Sequence, residues 1–365
     1  MAETLKGLIL SGGKGTRLRP ITHTSAKQLV PVGNKPILFY AIEALVAAGI
    51  DEIGIVTGDT AAEVEAAVGD GTAFGARCTY IHQDAPRGLA HAVLTARDFL
   101  GDSPFVMYLG DNLVRHGIIP VVEEFRANQP DAMILLARVA EPQHFGVAEL
   151  EEGRVVRLVE KPAVPKSDLA LVGVYLFTPV IFDAIDRIEY SARGELEITD
   201  AIQQLIDMGK DVRPHVISAG HEAEVATWKD TGRLEDLLEA NRIVLDDMPP
   251  RVEGLVGEDV RLEGRVVVEA GAELRNCTVR GPAIIGRGSL IEDAYVGPYT
   301  SISAGCTIRG AEIEHSIVLE GTRIEHTDGK IESSLIGRGC MIRHSPVRPR
   351  AYKLMLGDHS VVELR

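Results

Sequence analysis

The chain has 365 residues, of which 45% are hydrophobic, and it carries a formal net charge of -15 at pH 7. This composition is typical of a folded protein with enough apolar side chains for one large core or two moderate ones. The acidic balance argues against broad nucleic-acid binding, because phosphate contacts need a basic footprint. No apolar run approaches the length of a membrane span, and residues 1–6 lack the pattern of a secretion signal.

The first predicted element is a buried strand at residues 8–10 that runs into a glycine-rich turn. Three glycines and three cations follow it: Gly12, Gly13, Gly15, Lys14, Arg17 and Arg19. Glycines let backbone N–H groups approach phosphate oxygens. Leu18 replaces the third glycine of the dinucleotide fingerprint, and the spacing also excludes a Walker A loop. On this turn alone, a polyphosphate site and an ordinary tight turn with solvated cations are both open.

From residue 5 to about residue 230, predicted strands alternate with predicted helices. Strands are expected at 6–10, 52–57, 79–83, 105–109 and 133–138. Helices are expected at 37–48, 60–68, 89–100 and 118–127. Extended pieces at 146–150, 155–159 and 171–177 precede helices at 179–188, 198–208 and 233–246. The alternation predicts a mostly parallel sheet with helices on both faces and a ligand site beyond the carboxyl ends of its strands.

Two aspartates lie at predicted strand ends. Asp111 follows the strand at 105–109, and Asp230 lies just before a helix in Asp230-Thr231-Gly232. Two carboxylates converging from distant strands form a Mg²⁺ site with room for water and phosphate oxygens. A Gly-Asp pair on its own is equally typical of a turn.

From residue 252 onward, aliphatic residues recur every five or six positions, often followed by glycine, as in Ile285-Gly286 and Val296-Gly297. This is the hexapeptide repeat of a parallel β-helix, in which each coil buries its aliphatic side chains against the next. We expect a first domain at 1–240, a linker at 241–251 around Pro249-Pro250, a β-helix at 252–345 and a C-terminal tail at 346–365.

The four cysteines are far apart, with no Cys-x-x-Cys pair and no histidines at zinc-ligand spacing; they are Cys78, Cys277, Cys306 and Cys340. We expect small buried thiols in a reducing cytoplasm.

Several motifs occur in an order that resembles the sugar-1-phosphate nucleotidylyltransferases. Gly12-Gly13-Lys14-Gly15-Thr16-Arg17-Leu18 is followed by Lys27-Gln28-Leu29-Val30-Pro31-Val32, and later by Asp111, Glu160-Lys161-Pro162 and the Asp230 turn. The chain is most similar to the glucose-1-phosphate thymidylyltransferases within that family, and the solenoid resembles their long form. The resemblance implies a Rossmann-like, mostly parallel nucleotidyltransferase domain followed by a left-handed β-helix.

The resemblance implies that the phosphate of α-D-glucose 1-phosphate attacks the α-phosphorus of dTTP, giving dTDP-glucose and pyrophosphate, the first step of a dTDP-deoxysugar pathway. Arg17 and Lys27 are the implied catalytic cations, and Asp111 and Asp230 are the implied Mg²⁺ ligands. The implied nucleotide-binding residues are Leu10, Ser11, Gly12, Gly13, Gly15, Thr16, Gln83, Gly88 and Asp111. The implied sugar-phosphate residues are Gly146, Glu160, Lys161, Val172, Arg193 and Glu197.

Base selection is expected at Gln83 and around Gly88, since a glutamine amide pairs with a pyrimidine edge. Arg87 and His91 depart from the family pattern, so the preference between dTTP and UTP stays open. Two other hypotheses are an additional acyltransferase activity in the solenoid and a non-catalytic nucleotide-sensing scaffold. The candidate acyltransferase bases are His315, His326, His344 and His359. The solenoid also predicts a homo-oligomer, with no nucleic-acid or membrane partner.

Overall fold

The computed structural model describes residues 4–13, 15–23, 26–217, 228–344 and 359–363. The chain divides into two compact units. The first comprises the described parts of Met1–Lys14, Ala26–Leu29 and Ile37–Asp230. The second comprises those of Gly15–Ser25, Val30–Pro36 and Thr231–Arg365. None of the helices that the structure describes is long and apolar enough to cross a membrane.

The helices are α1 Ile37–Ala47, α2 Ala61–Val68, α3 Leu89–Thr95, α4 Arg97–Leu100, α5 Ile119–Asn128, α6 Ile181–Ile185, α7 Ile198–Asp207 and α8 Leu234–Asp247. Short 3-10 helices lie at Thr16–Leu18, Ile21–His23, Lys27–Leu29, Thr72–Phe74 and Pro142–His144.

The strands before α8 are β1 Lys6–Ser11, β2 Pro31–Val32, β3 Lys35–Pro36, β4 Glu52–Thr57, β5 Arg77–His82, β6 Phe105–Leu109, β7 Asn112–Val114, β8 Ala132–Arg138, β9 Gly146–Glu151, β10 Arg154–Glu160, β11 Leu169–Phe177, β12 Val212–Val216 and β13 Trp228–Asp230.

The strands after α8 are β14 Arg251–Val252, β15 Leu255–Val256, β16 Arg261–Glu263, β17 Val266–Val268, β18 Glu273–Arg275, β19 Thr278–Arg280, β20 Ala283–Ile285, β21 Leu290–Glu292, β22 Tyr295–Val296, β23 Thr300–Ile302, β24 Thr307–Arg309, β25 Glu312–Glu314, β26 Ile317–Val318, β27 Arg323–Glu325, β28 Ile331–Glu332, β29 Leu335–Ile336 and β30 Met341–Arg343.

One large sheet organises the first unit, with the strand order β10-β9-β11-β6-β1-β4-β5; off this path, β8 pairs with β11 and β12 pairs with β8. Neighbours among β6, β1, β4 and β5 are parallel, whereas β11 is antiparallel to β6, β8 and β9. Parallel neighbours need a crossover connection, and helices supply it up to β6; the short links between β8 and β11 hold only a 3-10 helix. The predicted Rossmann-like sheet and its later extension are both confirmed.

Helices cover both faces of this sheet, because successive β1 residues are buried in two different cores. Leu8 and Leu10 are buried in a core that includes residues of α3, α6 and α7. Ile9 is buried in another core that includes residues of α1, α2 and α5. Successive strand residues point to opposite faces, so the continuous apolar run in β1 fits a strand buried on both sides.

The second unit contains three stacks of parallel strands. Their orders are β14-β17-β20-β23-β26-β29, β15-β18-β21-β24-β27-β30 and β16-β19-β22-β25-β28. Each strand pairs with its equivalent one coil later, so that Val268 lies beside Ile285 and Ile285 beside Ile302. These three side chains are fully buried. The stacks are the arrangement expected for a left-handed β-helix, and the predicted solenoid is confirmed.

The helix expected at 233–246 is observed as α8, Leu234–Asp247, and it extends into the range 241–251 that was expected as the linker. Ile243 and Leu245 are buried, which explains why this segment is helical. Pro249-Pro250 follows the end of the helix, in keeping with the inability of proline to extend a helix.

Candidate active site

The carboxyl ends of β1 and β6 lie side by side, with Leu10 paired to Leu109. Ser11 ends β1 and Asp111 follows β6, so the glycine turn and the first predicted metal ligand leave the same edge of the sheet. A Cβ on Gly13 would lie 2.9 Å from Lys27 Cε and 3.3 Å from its Nζ. A side chain at this position would therefore displace the end of the Lys27 side chain from the turn. Lys14 lies outside the described residues.

Lys27 and Asp111 form an ion pair between Lys27 Nζ and Asp111 Oδ2. Asn112 Nδ2 donates to the other carboxylate oxygen, Asp111 Oδ1, at 3.1 Å. Burial on its own raises the pKa of the Asp111 carboxyl, but the Lys27 ammonium and the hydrogen bonds from Lys27 and Asn112 outweigh it and lower that pKa below its usual range. The site therefore keeps a buried carboxylate ionised beside a cation.

The second aspartate reaches the same corner through a two-stranded pairing. β13 is antiparallel to β7, and its register sets Asp230 opposite Asn112, the residue after Asp111. Trp228 Nε1 donates to Asn112 Oδ1 at 2.6 Å. The short strand predicted before Asp230 is confirmed. Asn112 was not predicted as a site residue, although it directly follows Asp111 at the end of a buried strand.

The carboxylates at this corner fit a metal that is shared with a nucleotide. Among the residues that the structure describes, no group of three or more His, Cys, Asp or Glu side chains forms a metal site by itself. Mg²⁺ typically takes one or two protein carboxylates and completes its octahedron with water and substrate phosphates. Asp111 and Asp230 match that donor set.

Gln83 and Gly88, the residues expected to select the base, lie in one loop region. A Cβ on Gly12 would lie 3.4 Å from Gln83 Oε1, so the glycine turn borders this glutamine. Gln83 Nε2 lies 3.0 Å from His91 Nδ1 and donates to Gly88 O at 3.4 Å. Gly88 has φ +104, and a Cβ there would lie 2.3 Å from Leu196 O. Close packing against Leu196 therefore gives this position a structural reason to be glycine.

The residues expected to hold the sugar phosphate gather around Glu160. Gly146 pairs with Glu160 across β9 and β10. Thr199 Oγ1 donates to Glu160 Oε2 at 2.7 Å, and Lys161 Nζ lies 3.4 Å from Glu160 Oε1. A Cβ on Gly146 would lie 2.9 Å from Thr199 Oγ1. Thr199 is a further residue that was not predicted, although it lies in the segment recognised around Glu197.

Arg193 joins this cluster through Glu197. Its Nη2 donates to both Glu197 carboxylate oxygens at 2.9 Å and lies 3.5 Å from Glu160 Oε1. Burial lowers the pKa of the Arg193 guanidinium, but the Glu197 carboxylate has the larger opposite effect. The pKa is therefore raised overall, and the guanidinium stays charged. Burial, with the nearby Glu197 and Glu160 carboxylates, raises the pKa of Asp200. The cluster holds more acid than base, which suits hydrogen bonding to sugar hydroxyls.

Strand β11 runs between the two groups of residues. Val172 is fully buried in it. A Cβ on Gly146 would lie 2.7 Å from Leu171 Cδ1, and one on Gly173 would lie 2.8 Å from Asn112 Oδ1. The neighbours of Val172 therefore touch the sugar-side cluster on one side and the Asp111 corner on the other.

Three predicted residues lie in the second unit. Gly15 has φ +60 and precedes the 3-10 helix that contains Thr16 and Arg17. Thr22 Oγ1 donates to Gly15 O at 2.6 Å, and this hydrogen bond joins the two ends of the segment 15–22. The Arg17 side chain is exposed. The contact of Gly15, Thr16 and Arg17 with phosphate stays a prediction.

A protein-family model described as "Nucleotidyl transferase" matches residues 6–247. The chain belongs to the nucleotidyl transferase family. A protein of Streptomyces griseus named glucose-1-phosphate thymidylyltransferase is 56% identical over 361 residues, which is 99% of both chains. One of the same name from Streptomyces antibioticus is 55% identical over 363 residues, covering 99% of this chain and 100% of that one. The resemblance recognised from the motifs is thus confirmed. Enzymes of this family generally use a divalent metal ion.

A solved structure is also similar. It is a crystal structure from Bacillus anthracis, assigned as a glucose-1-phosphate thymidylyltransferase and complexed with sucrose. It is 37% identical, has a TM-score of 0.62, and covers 68% of this chain and 98% of that chain. The likeness supports the α/β fold of the first unit.

Proposed function

We propose that this nucleotidyl transferase moves the thymidylyl group of dTTP to α-D-glucose 1-phosphate, giving dTDP-glucose and pyrophosphate. The observation that carries the proposal is the meeting of Gly13, Lys27 and Asp111 at one sheet edge, in a chain 56% identical to a protein named for this reaction. The sugar phosphate is itself the nucleophile, so a protein nucleophile is not required. The protein has to reduce anion repulsion, align the attack and stabilise the leaving pyrophosphate.

Lys27 and Arg17 are assigned to different phosphates of the nucleotide. Lys27 lies against the glycine turn. It is assigned to the α-phosphate, the group that the sugar phosphate attacks and from which pyrophosphate leaves. Arg17 is assigned to the β and γ phosphates, because a guanidinium suits bidentate phosphate binding. Arg17 is exposed, so it remains accessible to these phosphates. The backbone of Gly12 and Gly13 is open to phosphate oxygens because neither residue has a side chain.

Asp111 and Asp230 are assigned to Mg²⁺. When bound, Mg²⁺ neutralises phosphate charge and orients the triphosphate for in-line displacement. Asn112 fixes the Asp111 carboxylate through its own side chain and is in turn held by Trp228. The lowered pKa of Asp111 keeps it a full carboxylate at neutral pH.

The acceptor sugar is assigned to the Glu160 cluster. Glu160 and Glu197 accept hydrogen bonds from sugar hydroxyls, and Lys161 and Arg193 supply the charge for the phosphate. Thr199 orients Glu160 by donating to it. In this state Arg193 is bound to Glu197, so we expect it to exchange part of that contact for the phosphate when the sugar binds.

The proposal also covers the preferred nucleotide, the cellular compartment and the oligomeric state. Gln83 is assigned to the pyrimidine edge, with dTTP preferred to UTP. All four cysteines are free thiols, which supports a reducing cytoplasm. A homo-oligomer is proposed because solenoids of this type commonly associate, and the pathway is one that makes dTDP-deoxysugars.

The test is to measure pyrophosphate release by Asp111→Asn and Asp230→Asn. Each substitution keeps the shape of the side chain and removes the charge that a Mg²⁺ ligand needs. We expect a loss of about 100-fold or more in kcat in each variant, with unfolding still cooperative. Asp102→Asn, at an exposed carboxylate, is the matched control and is expected to keep wild-type rates. Wild-type activity in either site variant would refute the metal assignment. A wild-type enzyme with no turnover would favour the scaffold hypothesis.

A further inference from the structure

A short hairpin next to Lys27 belongs to the same unit as the solenoid. Strands β2 and β3 pair with Val32 opposite Lys35 and are joined by Gly33 and Asn34. Both linking residues have positive φ, at 55 for Gly33 and 62 for Asn34. This is the backbone of a tight two-residue hairpin turn, which fixes the register of its strands. The hairpin lies in the second unit, while the Lys27–Leu29 helix that leads into it lies in the first.

The hairpin turn is hydrogen-bonded to the carboxyl end of solenoid strand β23. Asn34 Nδ2 donates to Ile302 O at 2.8 Å, and Ser303 Oγ lies 3.4 Å from Asn34 Oδ1. The Ile302 carbonyl also accepts from Gly286 N–H of the neighbouring coil, so Asn34 gives it a second hydrogen bond.

A buried amide completes the attachment. Asn241, on α8, is fully buried. Its Oδ1 accepts from Gly33 N–H at 2.8 Å and from Ser301 Oγ at 2.6 Å, and its Nδ2 donates to Tyr299 O at 3.0 Å. One side chain therefore joins the hairpin, α8 and the solenoid. A buried amide without partners costs stability, so these bonds restrict the hairpin to one position.

The other segment that flanks Lys27 also reaches the solenoid. Ile21 belongs to the piece 15–25 of the second unit, and a Cβ on Gly337 would lie 3.4 Å from Ile21 Cδ1. The Lys27 segment is therefore bordered, on both sides along the chain, by pieces that contact the β-helix.

We propose that the β-helix is a support for catalysis and that Asn241 and Asn34 are positioning residues that act through Lys27. Only Gln28, Leu29, Val30, Pro31 and Val32 separate Lys27 from Gly33, and Val32 is fully buried. A displaced hairpin pulls on this short connection and shifts the ammonium that meets the α-phosphate. A misplacement of about 1 Å at a reacting group can cost about 100-fold in rate. The inference rests on the proposed role of Lys27.

The first test compares two attachment variants with a control in the same solenoid. Asn34→Gly keeps the turn, because glycine adopts positive φ freely, and removes the two side-chain contacts. Asn241→Ala removes the buried junction. Ser316→Ala is the control, since the fully buried Ser316 hydroxyl bonds to solenoid backbone at Glu314 and Ser334.

We expect kcat to fall about 3- to 10-fold for Asn34→Gly and about 10- to 100-fold for Asn241→Ala, with KM for glucose 1-phosphate nearly unchanged. Ser316→Ala is expected to keep its kcat within about twofold when rates are corrected for the folded fraction. Equal kcat in Asn34→Gly and the wild type would overturn the proposal, because that variant preserves the hairpin backbone. Parallel losses in Asn241→Ala and Ser316→Ala would also overturn it.

The second test is a double-mutant cycle with Lys27→Ala, which separates positioning from general destabilisation. If Asn241 acts through Lys27, then Asn241→Ala lowers the residual rate of Lys27→Ala by less than about twofold. Additive losses would show that Asn241 acts by another route and would refute the inference while leaving the role of Lys27 intact. Wild-type activity in Lys27→Ala itself would overturn the proposed role of Lys27, and the inference with it.

Discussion

Replacing Gly88 with alanine tests whether the loop beside Gln83 sets nucleotide binding. The new Cβ would lie 2.3 Å from Leu196 O and 2.7 Å from Leu196 N. Ordinary contacts begin near 3.4 Å, so the loop has to move by about 1 Å. Backbone strain at φ +104 adds about 1–3 kcal/mol, and the overlap adds about 1–3 kcal/mol. We expect the loop to shift rather than the sheet to unfold.

Because Gly88 O accepts from Gln83 Nε2, we expect the shift to weaken the base recognition proposed for Gln83. Initial rates of pyrophosphate release should show a fall of about 10- to 100-fold in kcat/KM for dTTP. Gly101→Ala is the matched control, since Gly101 has φ +57 and nothing within 4 Å of an added Cβ. It should lose about 1 kcal/mol of stability and keep its activity. A Gly88→Ala enzyme with the stability of Gly101→Ala and a wild-type kcat/KM for dTTP would refute this reasoning.

Two further predictions concern the sugar side of the site. Thr199→Val removes the hydrogen bond to Glu160 while keeping the side-chain shape, so KM for glucose 1-phosphate should rise about 3- to 10-fold with KM for dTTP unchanged; equal rises in both would contradict the assignment. Burial raises the pKa of Asp200 in the folded state, so the wild type should lose stability as pH rises through that pKa. Asp200→Asn should then be more stable at pH 7, by no more than about 1 kcal/mol because the carboxyl is partly exposed, with the gain fading below about pH 4. Denaturant unfolding at both pH values measures this, and an equal difference at both would exclude the mechanism.

Local patterns in the sequence predict most of the candidate site. The strand before Asp111 is apolar throughout, and its carboxyl end had to lie at the same edge of the sheet as that of β1 once a parallel sheet was inferred. Lys27 follows the glycine turn at a spacing that the family motif specifies. The proximity of Lys27 and Asp111 could be anticipated because it depends on a few neighbouring residues and on one rule of sheet topology.

What the sequence did not reveal depends on contacts between distant residues. Asn112 and Thr199 act on the side chains of predicted residues, and their partners are known only from the fold. Residues 30–36 belong to the solenoid unit, in which Gly33 bonds to Asn241 and Asn34 to Ile302, each more than 200 residues further along the chain.

The most direct test of the proposed reaction is turnover of a matrix of substrate pairs. Pyrophosphate release is measured with Mg²⁺ for dTTP, UTP, ATP and GTP, each against glucose 1-phosphate, galactose 1-phosphate and N-acetylglucosamine 1-phosphate. Acetyl-CoA consumption is followed in parallel to test the acyltransferase alternative. The account predicts the highest kcat/KM for dTTP with glucose 1-phosphate, a lower value with UTP, loss of activity on chelation of the metal, and no use of acetyl-CoA. No pyrophosphate from any pair, or a clear preference for a purine triphosphate, would contradict it.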